Sequence, residues 1–148
     1  NIITHNIGAS DQNAIYQAVQ REGNQGANSI VQEVEKNKEY LKFDCRIIDD
    51  YLSPELIGNI SFIKIDVEGH ELQALKGVSN ILKQSSPLIA FELLKGAINS
   101  GNSPVFDYLK EQGYQQFFEL YKANPVRVAV RTVYKLQTKN YKMLVSSK

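Results

Sequence analysis

Asp66, Glu68, His70 and Glu71 crowd into one short stretch of this chain, and Glu92 follows at the end of a second apolar run. Carboxylates gathered in this way can hold an ammonium, a sugar hydroxyl or a divalent cation. An imidazole among them can take a proton from a hydroxyl once brought within hydrogen-bond reach. The same spacing has a plainer explanation. Asp66, Glu68 and Glu71 would surround the first turn of a helix, where capping and the helix macrodipole favour carboxylates in any case. On spacing alone the two explanations stand side by side.

The elements that must position these groups are legible around them. Phe62, Ile63, Ile65 and Val67 form a short apolar run rich in β-branched residues, which predicts a strand covered on both faces. From Gly69 the period changes: Leu72, Leu75, Val78 and Leu82 recur at three- and four-residue steps and draw one stripe along a helix. Pro87 ends it, and Leu88, Ile89, Ala90 and Phe91 form a second strand that runs into Glu92. Parallel strands joined by a helix carry their carboxyl ends on one sheet edge, and ligands of open α/β sheets bind outside that edge. Asp66, Glu68 and Glu92 would therefore face one crevice, with His70 at the helix start.

The rest of the chain supplies the frame. Residues 1–11 read as a strand running into a turn, 14–19 as a strand, 21–29 as a loop of Gly, Asn and Gln, and 30–42 as loop with some strand. Residues 43–48 alternate as a strand. Ser53 then caps a short helix with Pro54 at its first position, Leu52 stapled onto Ile57, and Gly58 as its stop. After a polar loop at 99–103, residues 104–112 predict a helix with Val105, Phe106 and Leu109 inward and Gly113 beyond it. Residues 114–121, 126–131 and 141–145 read as strands. Gly77 falls inside a helical run, where glycine costs about 1 kcal/mol relative to alanine, and so marks a close approach of helix and sheet.

A chain of 148 residues, 43% apolar and 22% charged, has the size and composition of one globular domain. No apolar run nears the ~20 residues that span a bilayer. The single cysteine, Cys45, cannot form an internal disulfide and alternates with Phe43 and Ile47 as a buried apolar residue, so a cytoplasmic setting is expected. The net charge of +1 hides a basic end, since Lys122, Arg127, Arg131, Lys135, Lys139, Lys142 and Lys148 meet no acid after Glu119. This reads as a solvated strand edge and not as a nucleic-acid surface. His5, with no metal-ligating neighbour in sequence, is expected to be structural.

The run from Phe62 through Lys64, Asp66, Glu68, Gly69 and Glu71, with Leu75, Lys76 and Gly77 and then Pro87 to Glu92, resembles the FkbM family of S-adenosylmethionine-dependent methyltransferases. Asn6 to Asp11, the Ile47, Ile48, Asp49, Asp50 segment and Gly113, Tyr114 resemble other parts of its pattern. The resemblance implies an α/β, Rossmann-like (class I) methyltransferase sheet with antiparallel final strands, and methyl transfer to a hydroxyl of a sugar, glycan or other small molecule. On this resemblance the catalytic candidates are Asp66, His70 and Glu92, any one of which could take the acceptor's proton, Ser10, Asp11, Asp66 and Glu68 are the candidates for binding S-adenosylmethionine, and no metal ligand is assigned.

The chain departs from the family in lacking its Gly-rich cofactor loop and the acidic residue at the end of its second strand: none of the nine glycines forms even a Gly-x-Gly pair. The expectation is a single, partial domain truncated at its N-terminus. If 2–7 is the family's third strand and 62–67 its fourth, two strands are absent between them, a gap of about 14 Å. Either the N-terminal strand slides in beside 62–67 or that edge stays open or is covered by another chain. Two further readings stay open: a metal-dependent phosphoesterase using Asp66, Glu68 and Glu92, and a folded module without activity.

Overall fold

The computed structural model describes residues 2–19, 30–31, 40–67, 69–92, 103–124, 127–132 and 144–147. The loop expected at 21–29, most of that at 99–103, and Glu68 lie outside them. Strand β1 (Gly8–Ala9) runs parallel to β4 (Tyr40–Arg46), which pairs antiparallel with β2 (Ala14–Val19), itself antiparallel to β3 (Ile30–Val31). Gly8 packs closely there: a Cβ would meet the Cys45 sulfur across the ladder at 2.7 Å, so a larger residue needs that side chain to shift. Cys45 is buried as its alternation predicts, and burial, with Asp44 beside it, pushes its thiol pKa up.

Two short helices follow, α1 (Ile48–Tyr51) and α2 (Pro54–Ile57). Ser53 caps α2 by accepting from the Leu56 N–H, Pro54 occupies its first turn, and Leu52 and Ile57 both join the core. Strand β5 (Phe62–Ile65) leads through α3 (Glu71–Lys76) and α4 (Ser79–Gln84) to the parallel strand β6 (Leu88–Phe91). Helix α5 (Pro104–Glu111) buries Val105, Phe106 and Leu109, and Gly113 ends it in a left-handed conformation that favours glycine. Strands β7 (Gln116–Asn124), β8 (Arg127–Thr132) and β9 (Leu144–Ser147) then close a sheet ordered β5-β6-β9-β7-β8, with every pairing after β5 and β6 antiparallel.

The core lies between this sheet and the helices: Leu75, Ile81 and Leu82 from α3 and α4, Ile89 and Phe91 from β6, and Phe106 and Leu109 from α5. Phe106 links Phe91 and Phe117 through two edge-to-face contacts, at 5.9 and 4.9 Å between ring centres. Tyr114 is fully buried and donates to the Pro87 carbonyl at 3.0 Å, with burial pushing its pKa up to about 12.

Four expectations are corrected. Among the described residues the strands form two separate sheets and not one. Residues 2–7 make no strand: Ile2 and Ile3 are exposed, and only Gly8 and Ala9 pair. The helical run after Gly69 is broken at Gly77 and Val78 into α3 and α4. Strand β5 is not covered on both faces, since Phe62 is 54% exposed and, among the described residues, β5 stands at the end of its sheet. The N-terminal segment has therefore not slid in beside it.

Candidate active site at the carboxyl end of the parallel strands

The register pairs Ile65 with Phe91, so Asp66 and Glu92 leave the two parallel strands side by side, and the Glu92 N–H donates to the Ile65 carbonyl at 3.3 Å. The two carboxylate-bearing residues are thus brought to one edge, as the β-α-β reading requires. They differ in setting. Asp66 is exposed and accepts from Lys64 at 2.7 Å, because residues two apart on a strand share a face. Glu92 is half-buried. Lys64 did not stand out among the chemical residues of the sequence, yet period two in the strand marks it as the partner of Asp66.

Between strand and helix the chain turns at Gly69, whose φ of 100° is rarely open to other residues. Its N–H donates to the Glu71 carboxylate at 2.9 Å, and Glu71 is almost wholly buried. Glu71 is therefore consumed in shaping the turn, as the capping explanation holds for that residue. This turn sets His70 at the residue before α3, half-buried and facing the end of β1.

There Ser10 and His70 meet, Ser10 Oγ lying 3.0 Å from His70 Nε2. Ser10 is fully buried, and its hydroxyl donates towards Asp11 Oδ1 at 3.3 Å, with the Tyr16 hydroxyl a second acceptor at 3.4 Å. The Tyr16 hydroxyl accepts from Gln12 Nε2 at 2.6 Å, and its ring meets that of His70 edge-on at 5.3 Å. Burial lowers the His70 pKa from its ordinary 6.5, opposed in part by the charges of Asp11 and Glu71. The sequence named Ser10, Asp11 and His70 separately; nothing in it joined residues sixty positions apart, and Tyr16 was read only as part of a strand.

What brings β1 against this turn is Gly77. A Cβ there would fall inside the Ser10 carbonyl oxygen, so only glycine lets the end of α3 pass so close. The Gly77 carbonyl accepts from the Asp49 N–H at 3.0 Å, and the Asp49 carboxylate caps α4 by accepting from the N–H groups of Asn80 and Ile81 and from the Ser79 hydroxyl. His5, by contrast, stays away from the site, with Nδ1 2.9 Å from the Tyr51 hydroxyl.

Along the outer side of β5 runs an open cleft of about 510 Å³, walled by Ala9, Ile48, Leu52, Ile63, Val67 and Val78 among others, with Lys64 and Asp66 its charged lining. Its size lies within the range of small-molecule sites. Among the described residues, which leave out Glu68, no three His, Cys, Asp or Glu side chains converge as metal ligands. No described helix is long and apolar enough to cross a membrane.

Neither the curated proteins nor the solved structures supply a significant match. The family model described as the methyltransferase FkbM domain matches residues 1–116, a span that runs from the Ser10 strand through the Gly69 turn and both parallel strands to the start of β7. With most of its length, and every element that positions His70, inside that match, the chain belongs to the FkbM methyltransferase family.

Proposed function

We propose that this chain, as part of a single methyltransferase domain, serves transfer of a methyl group from S-adenosylmethionine to a hydroxyl of a sugar, glycan or other small acceptor, with His70 as the base. The family supplies the reaction type. The observation that carries the assignment of the base is His70 itself: its Nε2 lies 3.0 Å from a buried serine at the carboxyl end of a parallel strand, and burial lowers the pKa of the ring. A neutral imidazole with a free lone pair is what removal of a hydroxyl proton needs.

S-adenosylmethionine, when bound, presents a methyl carbon on a cationic sulfur that leaves with the bonding electron pair. The donor set fits such a group: Asp66 lines the cleft and Asp11 is exposed beside Ser10, both suited to ribose hydroxyls and an ammonium, while the apolar wall of β5 suits a purine. Asp66, Asp11 and Glu68 would hold the cofactor, with Ser10 acting behind them. Glu92 would hold the acceptor. Lone, buried Cys45 agrees with a reducing, cytoplasmic setting.

Incubation with methyl-labelled S-adenosylmethionine and a panel of glycosides and polyols tests this reading, with Asp66→Ala as the variant. The Lys64–Asp66 pair is half-exposed, so its loss costs less than about 1 kcal/mol of stability. Label transfer should nevertheless fall by about a hundredfold, on the scale set by positioning. A folded variant that transfers label at the wild-type rate would remove Asp66 from the site.

A further inference from the structure

We infer that Ser10 and Asp11 form a relay that fixes the tautomer of His70, so that Nδ1 is the atom that takes the acceptor's proton. Ser10 Oγ has one proton to give and lies near three groups. The Asp11 carboxylate can only accept, so its approach to Oγ at 3.3 Å draws the hydroxyl proton away from the ring. The Tyr16 hydroxyl, which already accepts from Gln12, is a second and more distant acceptor at 3.4 Å. With the Ser10 proton so directed, the 3.0 Å contact to His70 is a hydrogen bond only if Nε2 carries the proton and Ser10 accepts it. The neutral ring is then the Nε2–H form with its lone pair on Nδ1. Among the described residues Nδ1 has no hydrogen-bond partner.

The order Asp11, Ser10, His70 places a hydroxyl where many enzymes place a carboxylate directly behind the ring. The difference has a use, because Ser10 is neutral and fully buried and holds the ring's orientation without putting a full charge against it. On proton transfer the acceptor's hydroxyl proton passes to Nδ1, the electron pair of that O–H bond stays on the oxygen as nucleophile, and the imidazolium keeps its Nε2 proton on Ser10. Ser10 is thus a positioning residue. Among the described residues, the charged and titratable groups facing the ring are Asp11 beyond Ser10, Tyr16 from β2 and Glu71 from α3.

This inference rests on the reading of His70 as base, and two measurements separate them. Long-range proton–nitrogen spectra of chain labelled in its two histidines report the tautomer of each ring without any ligand. Wild-type His70 should be in the Nε2–H form. Asp11 is exposed, so Asp11→Asn should fold. Its amide can donate to Ser10 Oγ and turn the serine proton towards Nε2, which should move His70 to the Nδ1–H form and lower the rate of label transfer about tenfold, within what a general base contributes. In a Ser10→Ala background the same change at Asp11 should leave the ring's tautomer where it was. A wild-type ring in the Nδ1–H form, or a tautomer indifferent to Asp11→Asn, overturns the relay even where His70→Ala abolishes transfer. Undiminished transfer by His70→Ala overturns the base reading, and with it the role of Nδ1, even where the spectra show the Nε2–H form.

Discussion

At the scale of single residues, the role proposed for His70 turns on how far its ring is removed from water. Its ordinary pKa is 6.5 and burial lowers it, so the free base persists into mildly acidic solution. The acidic limb of kcat/KM should accordingly have its midpoint below 6.5, and a pH profile of label transfer checks it; a midpoint above 6.5 would contradict the burial argument. The same shift bears on stability. As pH falls below 6.5 the unfolded chain takes up the proton first, so the stability associated with neutral His70 is complete above 6.5 and is lost as pH falls through the lower folded value. The sequence displayed these residues but not their grouping. Asp66 and Glu92 were legible because both end parallel strands, and Glu71 was ambiguous because a carboxylate near a helix start serves a turn as readily as a ligand. The Ser10 to His70 contact was illegible, since it depends on how two sheets meet.

At the scale of elements, the approach of Ser10 to α3 and α4 depends on a glycine, and α4 on a distant cap. Gly77→Ala would ordinarily stabilise a chain by restricting its unfolded state. Here the added methyl must displace the Ser10 backbone, so we expect destabilisation of about 1–3 kcal/mol, as for overpacking. Gly58→Ala is the comparison, because a Cβ there meets nothing nearer than 3.8 Å. Denaturant unfolding of both variants decides the matter, and equal stability of the two would contradict the close approach. Asp49→Ala strips α4 of its cap and should cost about 1 kcal/mol, or some 2–4 °C of Tm in a thermal melt. An unchanged Tm would show the cap to be idle. Helix α5 and the Ser53 cap were readable because their signals are local. The break at Gly77 was not, because the apolar stripe of Leu72, Leu75, Val78 and Leu82 runs across it unbroken, and the carboxylate that caps α4 comes from residue 49.

At the scale of the whole molecule, a small β1-β4-β2-β3 sheet and a larger sheet beginning at β5 meet through the Ser10 and Gly77 contact, with the cleft opening between them. The mixed α/β class was legible from alternating and helical runs, whereas the antiparallel closing strands were expected only from the family resemblance. The separation into two sheets was not, because a run such as residues 2–7 has the composition of a strand and becomes one only with a partner to pair with. The central claim is that the carboxyl end of β5, the Gly69 turn and the end of β1 form one ligand site. Titrating the labelled chain with S-adenosylhomocysteine, the methyl-free form of the cofactor, while following backbone amide signals tests it most directly. The account predicts that the largest shifts fall on Asp11, Asp66, Gly69 and His70 together; shifts confined to the far sheet edge of β7 and β8, or none at saturating ligand, would contradict it.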